Sequence, residues 1–124
     1  MTNQEAFDKM MEHLRSLKGR SLDKNGDACV YNGSMCAIGA LMTDEEQEEF
    51  GDFKGNVFEI TDYMLMVGHK SILCELDEYL LFRMQTLHDS PFNWDAEGFK
   101  AEDKAEEIAN KYNLTYTESR QTDD

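Results

Sequence analysis

A chain of 124 residues is long enough to bury one hydrophobic core and too short to split into two. With 26 acidic against 12 basic side chains, a formal net charge of -14 and no apolar run near the roughly 18 residues a membrane span needs, it disfavours a nucleic-acid backbone, an anionic membrane surface and a transmembrane location. Three cysteines, Cys29, Cys36 and Cys74, form an odd set with no metal-type Cys-x-x-Cys pair, and residues 1–18 are amphipathic and charged, unlike a signal peptide. The expected compartment is the reducing cytoplasm, with no cofactor and no metal.

The charge is uneven along the chain. Five of the acids and five of the bases fall in residues 1–43, so the other 21 acids and 7 bases, and with them the whole net charge, lie after Thr43. A basic partner is the expected counterpart of such a surface.

Thr2-Asn3-Gln4-Glu5 has the form of a capping box, and Phe7, Met10, Met11, Leu14 and Leu17 follow at intervals of three and four. Together they predict a helix over residues 3–18 that stops at Gly19. Asp23-Lys24-Asn25-Gly26-Asp27 resembles the start of a calcium loop. The reading fails, because Ala28 stands where that loop needs glycine and Ser34 where it needs a bidentate glutamate. Residues 28–42 form the only dense uncharged run, which marks them as the most deeply buried segment. Within it, Asn32-Gly33 predicts a type I′ turn and a short β-hairpin over Cys29–Cys36. Cys36-Ala37-Ile38-Gly39-Ala40-Leu41 then predicts a short helix reaching Met42, with small residues where a neighbour must approach closely.

Thr43-Asp44-Glu45-Glu46 is a second capping box and opens a short acidic helix to about Phe50, stopped by Gly51. After Gly55 and Asn56, the spacing of Val57, Ile60, Tyr63, Met64 and Val67 predicts a helix ending at Gly68. From Ser71 the longest helix is expected, with Ile72, Leu73, Leu76, Leu80, Met84 and Leu87 on one face, Tyr79 and Arg83 beside it, and Ser90-Pro91 as its break. Phe92 and Trp94 are expected to cap the core from a loop, with a contact anchor as their other reading. A last helix is predicted from Asp95, with Phe99, Ile108, Ala109 and Tyr112 inward. Residues 1–114 form one domain in this reading, and 115–124 a frayed polar tail.

The segment Cys36–Leu41, Gly55, Met84-Gln85-Thr86-Leu87-His88-Asp89 and Ile108–Leu114 resemble a family of small, uncharacterised bacteriophage and bacterial proteins. Its marks are a Cys-Ala-Ile-Gly core, a Leu-Gln-x-x-His-Asp helix end, a nearby tryptophan and a terminal helix closing in Tyr-x-Leu. The resemblance spans about residues 28 to 114. Met84 replaces the commoner leucine, a volume-conserving exchange. What it implies is a phage-like origin. It supplies no catalytic residues.

Two side chains are candidates for chemistry. Cys36 at a helix start would have its thiolate favoured by the dipole, and His88 beside it would complete a nucleophile and base pair. Against this, a free cysteine in an Ala-Ile-Gly packing segment is commonly a small buried hydrophobe, and His88 stands at a helix C-terminus where the dipole alone accounts for it. The three histidines share no ligand spacing.

The acidic runs offer the other candidate site: Asp44, Glu45, Glu46, Glu48 and Glu49 on one helix, and Glu102, Asp103, Glu106 and Glu107 on another. Charge runs on helices ordinarily serve solubility, yet a net charge of -14 exceeds the magnitude of about 2 to 8 that a small domain needs. The expected fold is therefore mainly α, a small α+β domain of about five helices packed around the Cys36–Leu41 helix with one short β-hairpin. The expected function is a non-enzymatic acidic accessory protein of phage type. It would inhibit a basic host defence or nucleic-acid-handling protein by presenting carboxylates where that protein expects phosphates. A small enzyme or ligand binder using Cys36 and His88, and a plain protein-interaction module, stay open as alternatives.

Overall fold

The computed structural model describes residues 1–16, 37–50, 53, 55–95 and 98–117. The expected Cys29–Cys36 hairpin, the Asp23–Asp27 turn, Leu17, Gly19, Gly51 and the thiol of Cys36 lie outside these residues. Among the described residues the chain is mainly helical: α1 (Asn3–Ser16), α2 (Asp44–Phe50), α3 (Val57–Met66), α4 (Glu78–Asp89) and α5 (Glu102–Lys111). Among the same residues one two-stranded antiparallel sheet pairs β1 (Trp94–Asp95) with β2 (Gly98–Phe99).

Helix α1 begins where the capping box requires: the Thr2 N–H donates to Glu5 Oε1 at 2.8 Å and the Glu5 N–H to Thr2 Oγ1 at 3.1 Å. Its stripe of Ala6, Phe7, Met10, Met11 and Leu14 is buried. It packs on the uncharged central segment, where Ala37, Ile38, Leu41 and Met42 are buried too. Ile60 and Met64 of α3, Leu80, Leu81 and Met84 of α4, and Ala105 and Ala109 of α5 complete the core.

Three expected elements are corrected. The central helix contracts to one 3₁₀ turn, Gly39–Leu41, because Met42 is extended and leads into the Thr43 cap of α2. There Gln47 Nε2 donates to the Gly39 carbonyl at 2.9 Å, a carbonyl that a continuing helix would have used itself. The helix expected from Ser71 to His88 divides into a 3₁₀ turn, Ile72–Glu75, and α4. Between them Asp77 acts as N-cap, accepting from the Tyr79 and Leu80 N–H groups at 2.9 and 3.2 Å, so that its side chain outcompetes helix continuation. With 14 residues against 12, α1 is longer than α4.

The last helix starts at Glu102, not Asp95. Strands β1 and β2 instead pair in this stretch, with Gly98 at φ +122° and Trp94 opposite Phe99, their rings edge to face at 5.5 Å. Trp94 covers the core from β1, while Phe92 is 81% exposed and does not. Tyr63 and Val67, expected on the inward stripe of α3, are exposed as well.

Helices α3 and α5 both end in Schellman turns. At α3 the Gly68 N–H donates to Leu65 O and the His69 N–H to Met64 O, with Gly68 at φ +76°; at α5 Asn113 takes the same place at φ +58°. Beyond α5 the chain is held, not frayed, as far as it is described. Gln4 exchanges two hydrogen bonds with the Thr115 main chain, and Arg15 donates to the Thr117 carbonyl.

Gly39 is buried at the centre of this packing. Gly39→Leu is expected to lower stability by about 1 to 3 kcal/mol through overpacking. An unchanged thermal midpoint would place Gly39 at an open surface.

Candidate functional site

The two acidic runs become two helical faces with different roles for their members. On α2, Asp44, Glu45, Glu48 and Glu49 are exposed. Glu46, capping the helix at Thr43, is turned inward and 4% exposed. On α5, Asp103, Glu106 and Glu107 are exposed. Glu102 forms a bidentate pair with Arg15, Nε to Oε2 at 2.9 Å and Nη2 to Oε1 at 2.6 Å, and accepts from the Tyr116 hydroxyl. Burial raises the Glu102 pKa, but the Arg15 and Tyr116 hydrogen bonds outweigh it and hold the carboxyl below its usual range. Burial and that same carboxylate push Tyr116 up to about 12. Glu46 and Glu102 thus hold the fold together, and seven carboxylates remain directed at solvent.

Glu46 has a partner the sequence did not indicate. The Schellman turn at Gly68 brings His69 back against α2, where its Nε2 lies 2.7 Å from Glu46 Oε2 and its ring packs on Phe50 at 5.1 Å. Burial raises the Glu46 pKa, and hydrogen bonds from the Thr43 N–H, His69 and Ser71 together bring it below the ordinary value. A carboxylate orienting an imidazole is a unit found in acid–base sites. Cys74 has its thiol pushed up by burial, opposed by a hydrogen bond at Ser71 and reinforced by Glu78, Glu46 and Glu75, which keeps it protonated.

His88 ends up 0% exposed on the last turn of α4. Its ring meets Trp94 edge to face at 5.7 Å, and its carbonyl accepts from Trp94 Nε1 at 2.7 Å. Within the described residues it packs as part of the core, and the Cys36 thiol that was to pair with it is not among them.

A third feature is a cleft of about 530 Å³ between α3, α4 and α5. Tyr79, Arg83, Thr86 and Ser90 recur along one face of α4 and its C-cap, Lys104 and Ile108 face them from α5, and Phe58 closes the side from α3. Phe58 packs on Phe82 at 5.1 Å and edge-on against Tyr79 at 5.2 Å, which fixes an aromatic wall. Lys104 Nζ donates to Asn93 Oδ1 at 2.9 Å and Arg83 Nε to the Tyr112 hydroxyl at 3.2 Å.

The capping box at Thr43 carried the signal that Glu46 reaches back to the Thr43 N–H, but its burial comes from His69, which lies far along the chain. For the cleft the sequence offered only Tyr79 and Arg83 beside the α4 stripe, because its other walls come from residues far along the chain. Among the described residues no group of three or more His, Cys, Asp or Glu side chains could hold a metal ion, and no helix is long and apolar enough to cross a membrane. Comparisons with protein-family models, curated proteins and solved structures returned no match.

Proposed function

We propose that the protein is a non-enzymatic binding module whose acidic helices occupy a basic groove on a partner, in the way a phosphate backbone would. A host defence or nucleic-acid-handling protein is the partner this chemistry suits, and the sequence resemblance given above favours a phage-type accessory role. The observation that carries the reading is the placement of the exposed carboxylates. Asp44 and Glu48, Glu45 and Glu49, and Asp103 and Glu107 stand four residues apart on their helices, and none of them joins an ion pair among the described residues.

Each such like-charge pair costs about 0.2 to 0.5 kcal/mol of helix stability. Glu48 and Glu49 also sit in the last turn of α2, where the dipole disfavours negative charge. Solubility alone would be served by mixed charges at less cost. Asp44, Glu45 and Asp103 lie in first turns, where the dipole favours them; the like-charge spacings and the acidic last turn of α2 are what a partner that gains from these carboxylates would account for.

The test is capture of partners by the wild type and by the E45K/E48K/E49K variant, which leaves Glu46 in place. Wild-type binding should weaken as salt is raised from about 50 to 500 mM and should be displaced by duplex DNA. The variant should lose at least about tenfold in affinity while its stability moves by under about 1 kcal/mol. Binding indifferent to salt, to DNA and to these reversals would overturn the reading.

A further inference from the structure

The cleft between α3, α4 and α5 has a charge opposite to that of the chain around it. Two of its ten lining residues are bases and none is an acid, although acids outnumber bases 26 to 12 overall. Neither Arg83 nor Lys104 forms an ion pair with a carboxylate among the described residues. Both are exposed beside an apolar wall, where their unpaired N–H groups are within reach of an anion that lies against that wall.

We propose that this cleft binds a small organic anion with a flat apolar body, an aromatic carboxylate of one or two rings. Phe58, Tyr79 and Phe82 supply a wall for a ring to pack against, and Leu87 and Ile108 an aliphatic surface beside it. Asn93, 3% exposed, is fixed by its own donation to the Leu87 carbonyl at 2.8 Å, and with its other end holds Lys104 Nζ in position. That bond uses one of the three ammonium protons. Arg83 spends Nε on Tyr112, and among the described residues its two terminal nitrogens take no partner, which leaves them to the carboxylate of a bound anion. The volume of about 530 Å³ lies within the range of about 300 to 1,000 Å³ typical of small-molecule sites. The site shares no residue with the exposed acidic faces and stands or falls independently of them.

Titration with 2-naphthoate, followed by calorimetry and by amide chemical shifts, tests the assignment. Saturable binding is expected, with shifts clustered at Arg83, Thr86, Asn93 and Lys104. R83Q and K104Q should each weaken it about tenfold or more, as should replacing the probe with the neutral 2-naphthamide, since a charge-assisted hydrogen bond is lost in each case. Both side chains are exposed, so unchanged melting midpoints should show that the fold persists. The E45K/E48K/E49K variant should bind the probe as the wild type does. The proposal is overturned by failure to saturate in the millimolar range, by equal affinity for naphthoate and naphthamide, or by indifference to both substitutions. The same shifts appearing on concentration without probe would give the cleft to a second copy of the chain, and would overturn it too.

Discussion

Replacing Phe7 with alanine is expected to remove about 3 to 5 kcal/mol of stability, the largest effect of any single change considered for this chain. Phe7 is 1% exposed near the middle of α1, and α1 is the helix that lies on the Gly39–Leu41 turn while also touching α4 and β2. Truncation there leaves a cavity between several packed elements, so the surroundings can collapse only partly. Small domains hold about 5 to 15 kcal/mol in all. Urea denaturation should show a much lower midpoint with an unchanged slope. A loss no greater than the roughly 0.5 kcal/mol of a surface substitution would mean that α1 is not part of the core.

Glu46→Gln should cost about 1 to 3 kcal/mol at neutral pH, and the cost should disappear in acid. The carboxylate is buried, caps α2 through the Thr43 N–H and meets His69 at 2.7 Å, and these contacts hold its folded pKa below the ordinary 4.5. A depressed folded value means that the ionised form stabilises the native state. That contribution is complete above the unfolded value and is lost as pH falls through the folded one. The difference between wild type and variant should therefore be constant near neutrality and shrink below about pH 4.5. Glu102, held low by Arg15 and Tyr116 against the effect of its burial, titrates in the same sense, so E46Q keeps part of the acid dependence and E46Q/E102Q should flatten it further. Denaturation curves measured from neutral pH to about pH 3 decide this. A difference that grows in acid would contradict the assigned role.

Local chemistry was legible in the sequence and tertiary chemistry was not. The capping boxes at Thr2 and Thr43 and the stop at Gly68 form as expected, since each depends on groups within a few residues of one another. The uncharged segment is buried from Ala37 onward, because desolvation is read directly from composition. Apolar periodicity failed at Asp77, where it counts inward positions but not a side chain that competes for the backbone, and at β1 and β2, where cross-strand pairing of Trp94 with Phe99 replaces the helix. Leu73, Leu76 and Leu80 are all buried, yet a cap divides them between two elements. Glu46 was grouped with its acidic neighbours by charge although its place in the capping box had already given it a partner in the Thr43 N–H. His69 against Glu46, and Lys104 across from Arg83, are pairings between elements that no window of sequence contains.

Trp94 is the only tryptophan in the chain, and it stands at the joint where α4 hands over to β1. Its indole is hydrogen-bonded to the His88 carbonyl, stacked edge-on between His88 and Phe99, and follows directly on Asn93 in the cleft wall. The protein therefore carries its own optical gauge at that corner. Opening of the joint exposes the indole to water and moves its emission to the red, so an unlabelled signal reports whether that corner is closed.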